Sequence, residues 1–509
     1  MDILTNTISL FFQGRLKEID LFTREADRIQ TKQLKSLIST ARYTEWGRSH
    51  NYKNIKSYRD FKEYVPLQSY EEIKPYVNRM INGEKNILWP SVVKWYAKSS
   101  GTTNDRSKYL PVTNEILNNC HYRGGFDSVA LYLRNNPESQ FFKGRGLILG
   151  GSHSPSPLNK NAHCGDLSAV LLQNLNPLIN LIRVPSKEII LMDEWESKIK
   201  AIVENTYNKR VNNLSGVPSW MLVLIKAILA KTGKEYLTEV WPDLEVFFHG
   251  GISFEPYREQ YKSLIPSDKM HYVETYNASE GFFGIQCDLS DSSMLLMLDY
   301  GIFYEFIPVN ELRKENPTTL PLEEVEVGKN YAMVISTSGG LWRYLIGDTI
   351  RFTSTHPFKF RITGRTKHYI NAFGEELMID NADKALSMVC KETKAIVKEY
   401  TVAPLFFLDN AKGKHQWFIE FEKEPVVSIE EFTQKLDQHL KELNSDYDAK
   451  RYKDISLMEP EIILAKPGVF YNWLKTKGKL GGQHKIPRLN NDRTHMEELL
   501  AINQKLSEK

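Results

Sequence analysis

A loop rich in hydroxyl groups separates two apolar segments near residue 100. The sequence there is KSSGTTND, and Arg106 and Lys108 follow closely. Small residues let backbone N–H groups and hydroxyls close around a polyphosphate, whose charge the two cations would offset. The spacing is not that of a Walker loop, and a plain surface turn is the alternative interpretation. The candidate residues are Ser99, Ser100, Gly101, Thr102 and Thr103.

A second group with chemical potential is YNASE, which begins at Tyr276 after the strand-like segment HYVET. An aromatic ring four residues ahead of an acid offers a flat face for a base. The acid, Glu280, can then bind a metal beside the phosphates. The alternative is an ordinary aromatic strand end.

Two single charged residues also lie next to glycines. Asp348 follows Gly347 at the end of a predicted strand, where an ionised carboxylate can accept hydrogen bonds from a ribose diol at both oxygens. Lys485 lies in GGQHKIPR, where a glycine-rich loop would let the ammonium move into a site as a point charge. A β-turn aspartate and a solvated basic tail are the respective alternatives.

The elements that must position these residues follow from the hydrophobic pattern. The first ninety or so residues predict amphipathic surface helices, and a strand, a loop and a strand follow between about 87 and 113. We expect a helix over about 115–133 and a buried helix over Trp220–Ala230. Short apolar runs that alternate with helical segments predict α/β sheets in the middle third, and alternation after Ser336 predicts antiparallel strands.

The composition changes again near residue 371. Helices are expected near Asn381–Val397 and Ile429–Glu442, around a strand with the sequence WFIEFE. We therefore predict an N-terminal domain over 1–366 and a smaller C-terminal α+β domain over 367–509.

Composition excludes several classes of protein. The 509 residues are 41% hydrophobic and 25% charged, which is typical of a folded globular chain and not of collagen, a coiled coil or a disordered protein. A net charge of +3 argues against nucleic acid or an anionic membrane as partner and favours small molecules. The four cysteines are widely spaced, which indicates a reducing, cytoplasmic setting. We expect neither a signal peptide nor a transmembrane segment.

The order of the motifs resembles that of the adenylate-forming superfamily. A hydroxyl-rich glycine loop, an aromatic-to-Glu box, a Gly-Asp strand end, a Gly-Arg pair at 364–365 and a late lysine occur in sequence. The segments KSSGTT, GVPSW, HGGISFEPYR, YNASEGFFGIQ and GGQHKIPR further resemble the Gretchen Hagen family of acyl-acid amido synthetases. These are the plant auxin- and jasmonate-conjugating enzymes and their bacterial relatives. The matching segments run from about Lys98 to Arg488.

The resemblance implies a fold and a nucleotide site. The fold would be a large N-terminal domain of α/β sheets with a small β-barrel, followed by a mobile C-terminal domain. The glycine loop would hold the β- and γ-phosphates of ATP, Tyr276 would stack on adenine, and Gly250 and Gly251 would cover its other face. Ser279 would lie near the α-phosphate, with Glu280 binding Mg²⁺ and Asp348 binding the ribose.

The resemblance also assigns residues to the domain crossing and the acyl site. Arg365 would be the hinge-side arginine, Lys367 the hinge pivot, and Lys485 the lysine that reaches the carboxylate and phosphate during adenylation. The loop lacks the usual Pro-Lys-Gly continuation, which leaves open which cation serves the phosphates. An acyl pocket would lie between the helix at about 115–133 and the segments near 216–224 and 250–254. Its expected lining residues are Tyr122, Arg123, Val217 and Trp220. Arg123 could meet a second carboxylate of the acid there, but a surface position is the more common one for an arginine.

The implied reaction joins a small carboxylic acid to AMP, releases pyrophosphate, and transfers the acyl group to the amine of an amino acid. A ligase that hands the acyl group to coenzyme A or a carrier thiol is the alternative enzyme, and a non-catalytic nucleotide-binding protein is the other alternative. The residues select neither the acid, nor the amino acid, nor the oligomeric state.

Overall fold

The computed structural model describes residues 3–507 with short gaps. The gaps are 100–107, 151–155, 177–178, 180–181, 193, 252–253, 255–256, 313, 367–368, 371, 373–374, 376, 407–412, 445–446, 449–450, 452–456, 479, 481–485 and 491.

The helices and strands are mixed along the chain. The helices are α1 (Ile3–Asp20), α2 (Phe22–Ala41), α3 (Glu45–Ser49), α4 (Tyr58–Tyr64), α5 (Tyr70–Ile81), α6 (Asn114–Ile116), α7 (Arg123–Asn135), α8 (Leu167–Asn174), α9 (Lys187–Ile190), α10 (Trp195–Thr206), α11 (Pro218–Thr232), α12 (Leu237–Val240), α13 (Arg258–Leu264), α14 (Ile379–Thr393), α15 (Ile429–Leu443), α16 (Val469–Thr476) and α17 (Thr494–Ser507). The strands are β1 (Trp95–Ser99), β2 (Lys108–Val112), β3 (Arg145–Ile148), β4 (Ser156–Pro157), β5 (His163–Gly165), β6 (Arg183–Val184), β7 (Val211–Gly216), β8 (Val246–Gly250), β9 (His271–Ala278), β10 (Gly281–Asp288), β11 (Asp291–Leu296), β12 (Ile302–Pro308), β13 (Asn330–Thr337), β14 (Tyr344–Thr355), β15 (Phe358–Arg365), β16 (Tyr369–Ile370), β17 (Leu377–Met378), β18 (Ile396–Phe406), β19 (Gly413–Lys423) and β20 (Glu461–Leu464).

An eleven-stranded sheet forms the centre, in the order β12-β13-β14-β15-β11-β10-β9-β8-β7-β3-β6. Strands β6, β3, β7, β8 and β9 pair in parallel, and the remaining pairs are antiparallel. The parallel strands end together at one edge, where open α/β sheets bind their ligands. The predicted α/β middle and antiparallel end are therefore two parts of one sheet. A smaller sheet has the order β2-β1-β5-β4.

The antiparallel end of this sheet curls strongly. Strands β14 and β9 are four strand positions apart in the sheet order. In a flat sheet that would be about 19 Å, at about 4.8 Å per strand. Nevertheless the Tyr276 hydroxyl on β9 donates a hydrogen bond to Asp348 on β14. The strands between them must bend round, as strands of the expected small β-barrel would.

The N-terminal helices are amphipathic, as predicted, but they also reach into the core. The buried residues of α2 recur every three or four positions, from Phe22 to Ala41. Gln30 is buried among them, and its amide bonds the backbone of the central sheet at Leu298, Ile302 and Tyr304. A polar side chain satisfied in this way ties the helix to one register on the sheet.

Residues 377–507, here called the C-terminal unit, form a separate layered structure around the sheet β18-β19-β20. Side chains alternate across β19, so Trp417 and Ile419 pack with α14 and α15, while Phe418 packs with α16 and α17. The predicted helices and the WFIEFE strand lie here, as α14, α15 and β19. The boundary at 366/367 stays a prediction.

Helix α11 contains the predicted buried run Trp220–Ala230 and spans 15 residues. None of the helices that the structure describes has both the length and the apolar character needed to cross a bilayer.

Candidate active site

A cleft of about 1960 Å³ lies where the parallel strands end, and the C-terminal unit forms its opposite wall. Residues of the central sheet and its loops line one side, including His249, Gly250, Tyr276 and Asp348. Asp348 lies inside β14, not at the end of a strand as predicted, because the strand continues through the Gly-Asp pair to Thr355. Ile486, Pro487 and Arg488 of the C-terminal unit also border the cleft. The cleft therefore combines most of the predicted motif positions that the structure describes.

The contact between Tyr276 and Asp348 is the centre of the site. Both side chains are buried, with 6% and 8% of their surface exposed, and the Tyr276 hydroxyl donates to Asp348 Oδ2. Gly347, which precedes Asp348, has φ of 89°, a conformation that favours glycine. Its carbonyl oxygen accepts a hydrogen bond of 2.8 Å from the Thr366 backbone amide. The local backbone thus fixes where the carboxylate points.

Ser279 and Glu280 form a two-residue turn between β9 and β10, because Ala278 and Gly281 are paired across the hairpin. Both residues border the cleft, with Ser279 buried and Glu280 half-buried. A tight turn at the carboxyl end of a parallel strand holds a hydroxyl and a carboxylate beside the aromatic ring of Tyr276.

Gly250 ends β8 at the same edge, directly opposite Thr275 of β9. A Cβ atom at Gly250 would lie 2.2 Å from the Thr275 carbonyl oxygen, so no larger residue fits without moving backbone. Gly251 follows with φ of 85°. Because neither glycine has a side chain, neither residue projects from this wall of the cleft into the space beside Tyr276.

Three of the four predicted acyl-site residues border the cleft, and the fourth does not. Tyr122, Val217 and Trp220 line it, and the Tyr122 hydroxyl donates to the Leu171 carbonyl oxygen over 2.8 Å. Arg123 instead donates to Asp299 at 3.0 Å and to Glu18 at 3.2 Å. Its guanidinium holds the N-terminal helix against the sheet, so the predicted lining role for Arg123 is wrong.

Several predicted residues lie outside the described part of the chain. They are Ser100, Gly101, Thr102, Thr103, Lys367 and Lys485. Ser99 ends β1, and the flanking strand β2 begins at Lys108, so the two predicted strands around the loop are present. Arg365 pairs in register with Asp348 across β14 and β15. Their assigned roles stay predictions.

His121 is a cleft residue that the sequence analysis missed. It lies on a π-helical turn, Leu117–Tyr122, between α6 and α7, and its Nδ1 lies 2.9 Å from Asn277 Oδ1. Burial lowers the pKa of His121 to about 4, so the imidazole is neutral at pH 7. Its Nε2 has no hydrogen-bond partner within the described residues. The sequence feature that could have indicated His121 is its position next to Tyr122, in the predicted helix that was assigned to the acyl pocket.

His249 is a second missed residue, immediately before the two glycines. Its ring stacks on Phe254 with centroids 4.2 Å apart. Burial lowers its pKa to about 3. An uncharged, packed imidazole at this position stiffens the strand end that presents Gly250 and Gly251.

Comparison with known proteins identifies the family. Residues 15–270 match the GH3 family N-terminal domain, which is half of the chain. The chain belongs to the GH3 family. Residues 295–365 match the GH3 central domain and residues 380–494 the GH3 C-terminal domain. The family membership expected from the motifs is confirmed.

A similar curated relative is the indole-3-acetic acid-amido synthetase GH3.3 of Arabidopsis thaliana. It is 24% identical over 93% of this chain and 91% of its own length. Among solved structures, the GH3.15 acyl acid amido synthetase aligns with a TM-score of 0.78 at 20% identity, covering 97% of this chain and 95% of its own. A 2-hydroxyisobutyryl-CoA ligase in the postadenylation state aligns with a TM-score of 0.59 at 12% identity, over 94% of this chain and 92% of its own. These alignments confirm the adenylate-forming α/β fold.

Proposed function

We propose that this GH3 family member is an ATP-dependent acyl-acid amido synthetase. It joins a small carboxylic acid to the amine of an amino acid through an acyl-adenylate. The observation that carries this function is the hydrogen bond between Tyr276 and Asp348 beside the two glycines of β8. An aromatic face and a carboxylate, fixed together beside the ends of the parallel strands, suit the base and the ribose of one nucleotide.

The chemistry explains why a nucleotide is needed. A free carboxylate resists an amine because it is anionic and would have to expel oxide. Transfer of the AMP group of ATP to the acid, with release of pyrophosphate, gives the acyl carbon a good leaving group. In this arrangement Tyr276 supports the adenine face, Gly250 and Gly251 leave room on its other side, and Asp348 accepts hydrogen bonds from the ribose.

The phosphates of ATP are assigned to the turn and to the glycine loop. Ser279 is placed near the α-phosphate, and residues Ser99–Thr103 near the β- and γ-phosphates. We also assign Lys485 to the acid and α-phosphate, where its charge offsets the negative charge that develops as pyrophosphate separates. Arg365 and Lys367 are assigned to the crossing between domains.

Mg²⁺ is proposed as the metal that accompanies ATP. Among the described residues no cluster of three or more acidic, histidine or cysteine side chains could form a metal cage. The donor set at the turn is a single half-buried carboxylate, Glu280. This fits Mg²⁺, which is usually held by one or two carboxylates together with substrate phosphates. When bound, the metal supplies positive charge to the phosphate oxygens.

The second half-reaction is attack of the amine on the acyl-adenylate. A free α-amino group has a pKa of about 7.7–8.0, so part of it is neutral at pH 7 without a strong base. AMP then leaves as the amide forms. We assign the acyl group to the wall formed by Tyr122, Val217 and Trp220, which is mainly apolar and carries one tyrosine hydroxyl and one indole N–H group. We place the enzyme in the cytoplasm, because its four cysteines are widely spaced in the sequence, as is usual in a reducing compartment.

The test is a pyrophosphate-release screen over indole, aryl and aliphatic acids, with each amino acid and, separately, with coenzyme A. We expect pyrophosphate release with at least one acid and an amide product with an amino acid. Thioester formation with coenzyme A and no amide would overturn the choice of acceptor. Absence of ATP–pyrophosphate exchange with every acid would overturn the adenylation itself.

A further inference from the structure

Tyr257 forms a contact between the part of the chain that carries the central sheet and the C-terminal unit. It lies just before α13, seven residues after Gly250 at the end of β8. Its side chain is buried, with 2% exposed. The Tyr257 hydroxyl accepts a hydrogen bond of 2.9 Å from Arg488 and donates one of 3.4 Å to Glu399. Both partners belong to the C-terminal unit. One hydroxyl therefore bridges a cation and a carboxylate across the interface.

Arg488 is held firmly on its own side of that interface. Its guanidinium lies 3.0 Å from Glu399 and 3.3 Å from Asp383, and it stacks over the Tyr400 ring at 4.5 Å. The residue is 8% exposed. A buried cation with two carboxylates and an aromatic face has little freedom to move independently of β18 and α14, the elements that carry these partners. Moving Arg488 therefore means moving the C-terminal unit.

A second buried bond strengthens the same interface. Gln260 of α13 donates from Nε2 to the Val397 carbonyl oxygen over 3.2 Å, and its side chain is 5% exposed. Other contacts between the two parts include the partly buried pair of Arg351 and Asp380 and pairs at the exposed rim, such as Lys226 with Glu422 and Tyr471 with Glu196. Exposed pairs of this kind contribute little to stability. The buried contacts at Tyr257 and Gln260 are the stronger candidates for fixing the orientation.

The consequence concerns the segment that leads to Arg488. Ile486, Pro487 and Arg488 border the same cleft as Tyr276 and Asp348. Lys485 directly precedes this segment in the chain. We propose that Tyr257, Glu399 and Arg488 form an interdomain latch. The latch holds the C-terminal unit in the orientation in which residues 486–488 border the cleft, and the adenylation half-reaction needs this orientation. This inference rests on the proposed function.

Tyr257 and Arg488 are positioning residues in this scheme, because they set the orientation of the C-terminal unit and do not act on the reacting atoms. Arg488 is the last residue of the motif GGQHKIPR, and no role follows for it from the sequence. Its contacts supply one, since Arg488 joins the C-terminal unit to Tyr257.

The experiment separates the half-reactions in Tyr257→Phe, which keeps the ring and removes the bridging hydroxyl. We expect ATP–pyrophosphate exchange to fall about tenfold or more, as loss of a hydrogen bond to a charged group predicts. Aminolysis of supplied acyl-adenylate should stay within about twofold of wild type, because the latch is proposed to serve adenylation alone. Arg488→Lys keeps the positive charge but loses the planar set of guanidinium donors. It should likewise reduce ATP–pyrophosphate exchange while leaving aminolysis unchanged.

The matched control is Tyr471→Phe, which removes an interdomain hydroxyl contact at the exposed rim and should leave both half-reactions unchanged. Small-angle scattering without substrates gives a readout independent of activity, and Tyr257→Phe should have a larger radius of gyration than wild type. Equal loss of both half-reactions, equal loss in Tyr471→Phe, or an unchanged radius of gyration would each overturn the latch. A wild type that lacks exchange with every acid, while Tyr257→Phe still expands, would overturn the proposed function and leave the latch standing.

Discussion

Replacing Asp348 by asparagine isolates the charge of the proposed ribose-binding carboxylate. The substitution keeps the side-chain shape and one oxygen, so the Tyr276 hydroxyl retains an acceptor. It removes the charge and replaces the second acceptor oxygen by a donor group. We therefore expect the folded enzyme to keep its thermal stability while losing affinity for ATP.

The size of the loss follows from the burial of this carboxylate, which is 8% exposed. Hydrogen bonds to a charged group contribute about 1.5–3 kcal/mol and neutral ones about 0.5–1.5 kcal/mol. Weakening one ribose bond and losing the other should cost about 2–3 kcal/mol. At about 1.4 kcal/mol per factor of ten, the dissociation constant of ATP should rise about 30- to 150-fold.

Isothermal titration with ATP measures this directly. The control is Asp268→Asn, which removes one negative charge from an exposed turn after α13 and should not change ATP affinity. Equal affinity in wild type and Asp348→Asn would refute the ribose role. A similar loss in both variants would show that only net charge matters.

Three further predictions concern other parts of the site. Gly250→Ala should lower the free energy of urea-induced unfolding by about 1–3 kcal/mol, because its Cβ would lie 2.2 Å from the Thr275 carbonyl oxygen. The control Gly14→Ala, in an open helical position, should raise that free energy by about 0.5–1 kcal/mol. A Gly250→Ala variant as stable as the wild type would contradict the packing argument. His121 is neutral in the fold with a pKa lowered to about 4, so the stability of its neutral form is present above about pH 6.5 and is lost as the pH falls toward 4. Between pH 6.5 and about 4, the free energy of unfolding of His121→Gln should fall less steeply than that of the wild type. Equal slopes in the two proteins would refute the lowered pKa of His121. Lys485→Ala should slow acid-dependent pyrophosphate release far more than it weakens ATP binding, and an equal effect on both would contradict its role in adenylation.

The pattern of the sequence was sufficient for most secondary structure. The helices at 114–135, 218–232, 379–393 and 429–443 follow strong local periodicity or apolar runs, and the strand WFIEFE lies within β19. Such signals depend on neighbouring residues, so no long-range information is needed to find them. The antiparallel segment after Ser336 was also predictable, but its continuity with the parallel strands was not, because strand order is a long-range property.

The error at Arg123 has the same origin. The residue was assigned to the acyl pocket because the family resemblance implies a pocket beside the helix at about 115–133. Its partner Asp299 lies 176 positions away in the chain. The direction in which an arginine side chain points depends on the position of its acidic partner. That partner is distant in the chain here, so the local sequence does not predict the contact.

The sequence by itself determined the chemical inventory of this protein: a hydroxyl-rich loop, an aromatic-to-Glu motif, a Gly-Asp pair and a late Lys–Arg segment, in an order typical of one family. Residue types and spacing suffice for this, since hydrogen-bonding capacity and charge are properties of single side chains. Only the tertiary structure decided that Tyr276 and Asp348 meet, that His121 borders the same cleft, and that Arg488 reaches Tyr257 across 231 positions. These contacts depend on the curl of the sheet and the docking of the C-terminal unit, which packing of the whole chain fixes and no short segment encodes.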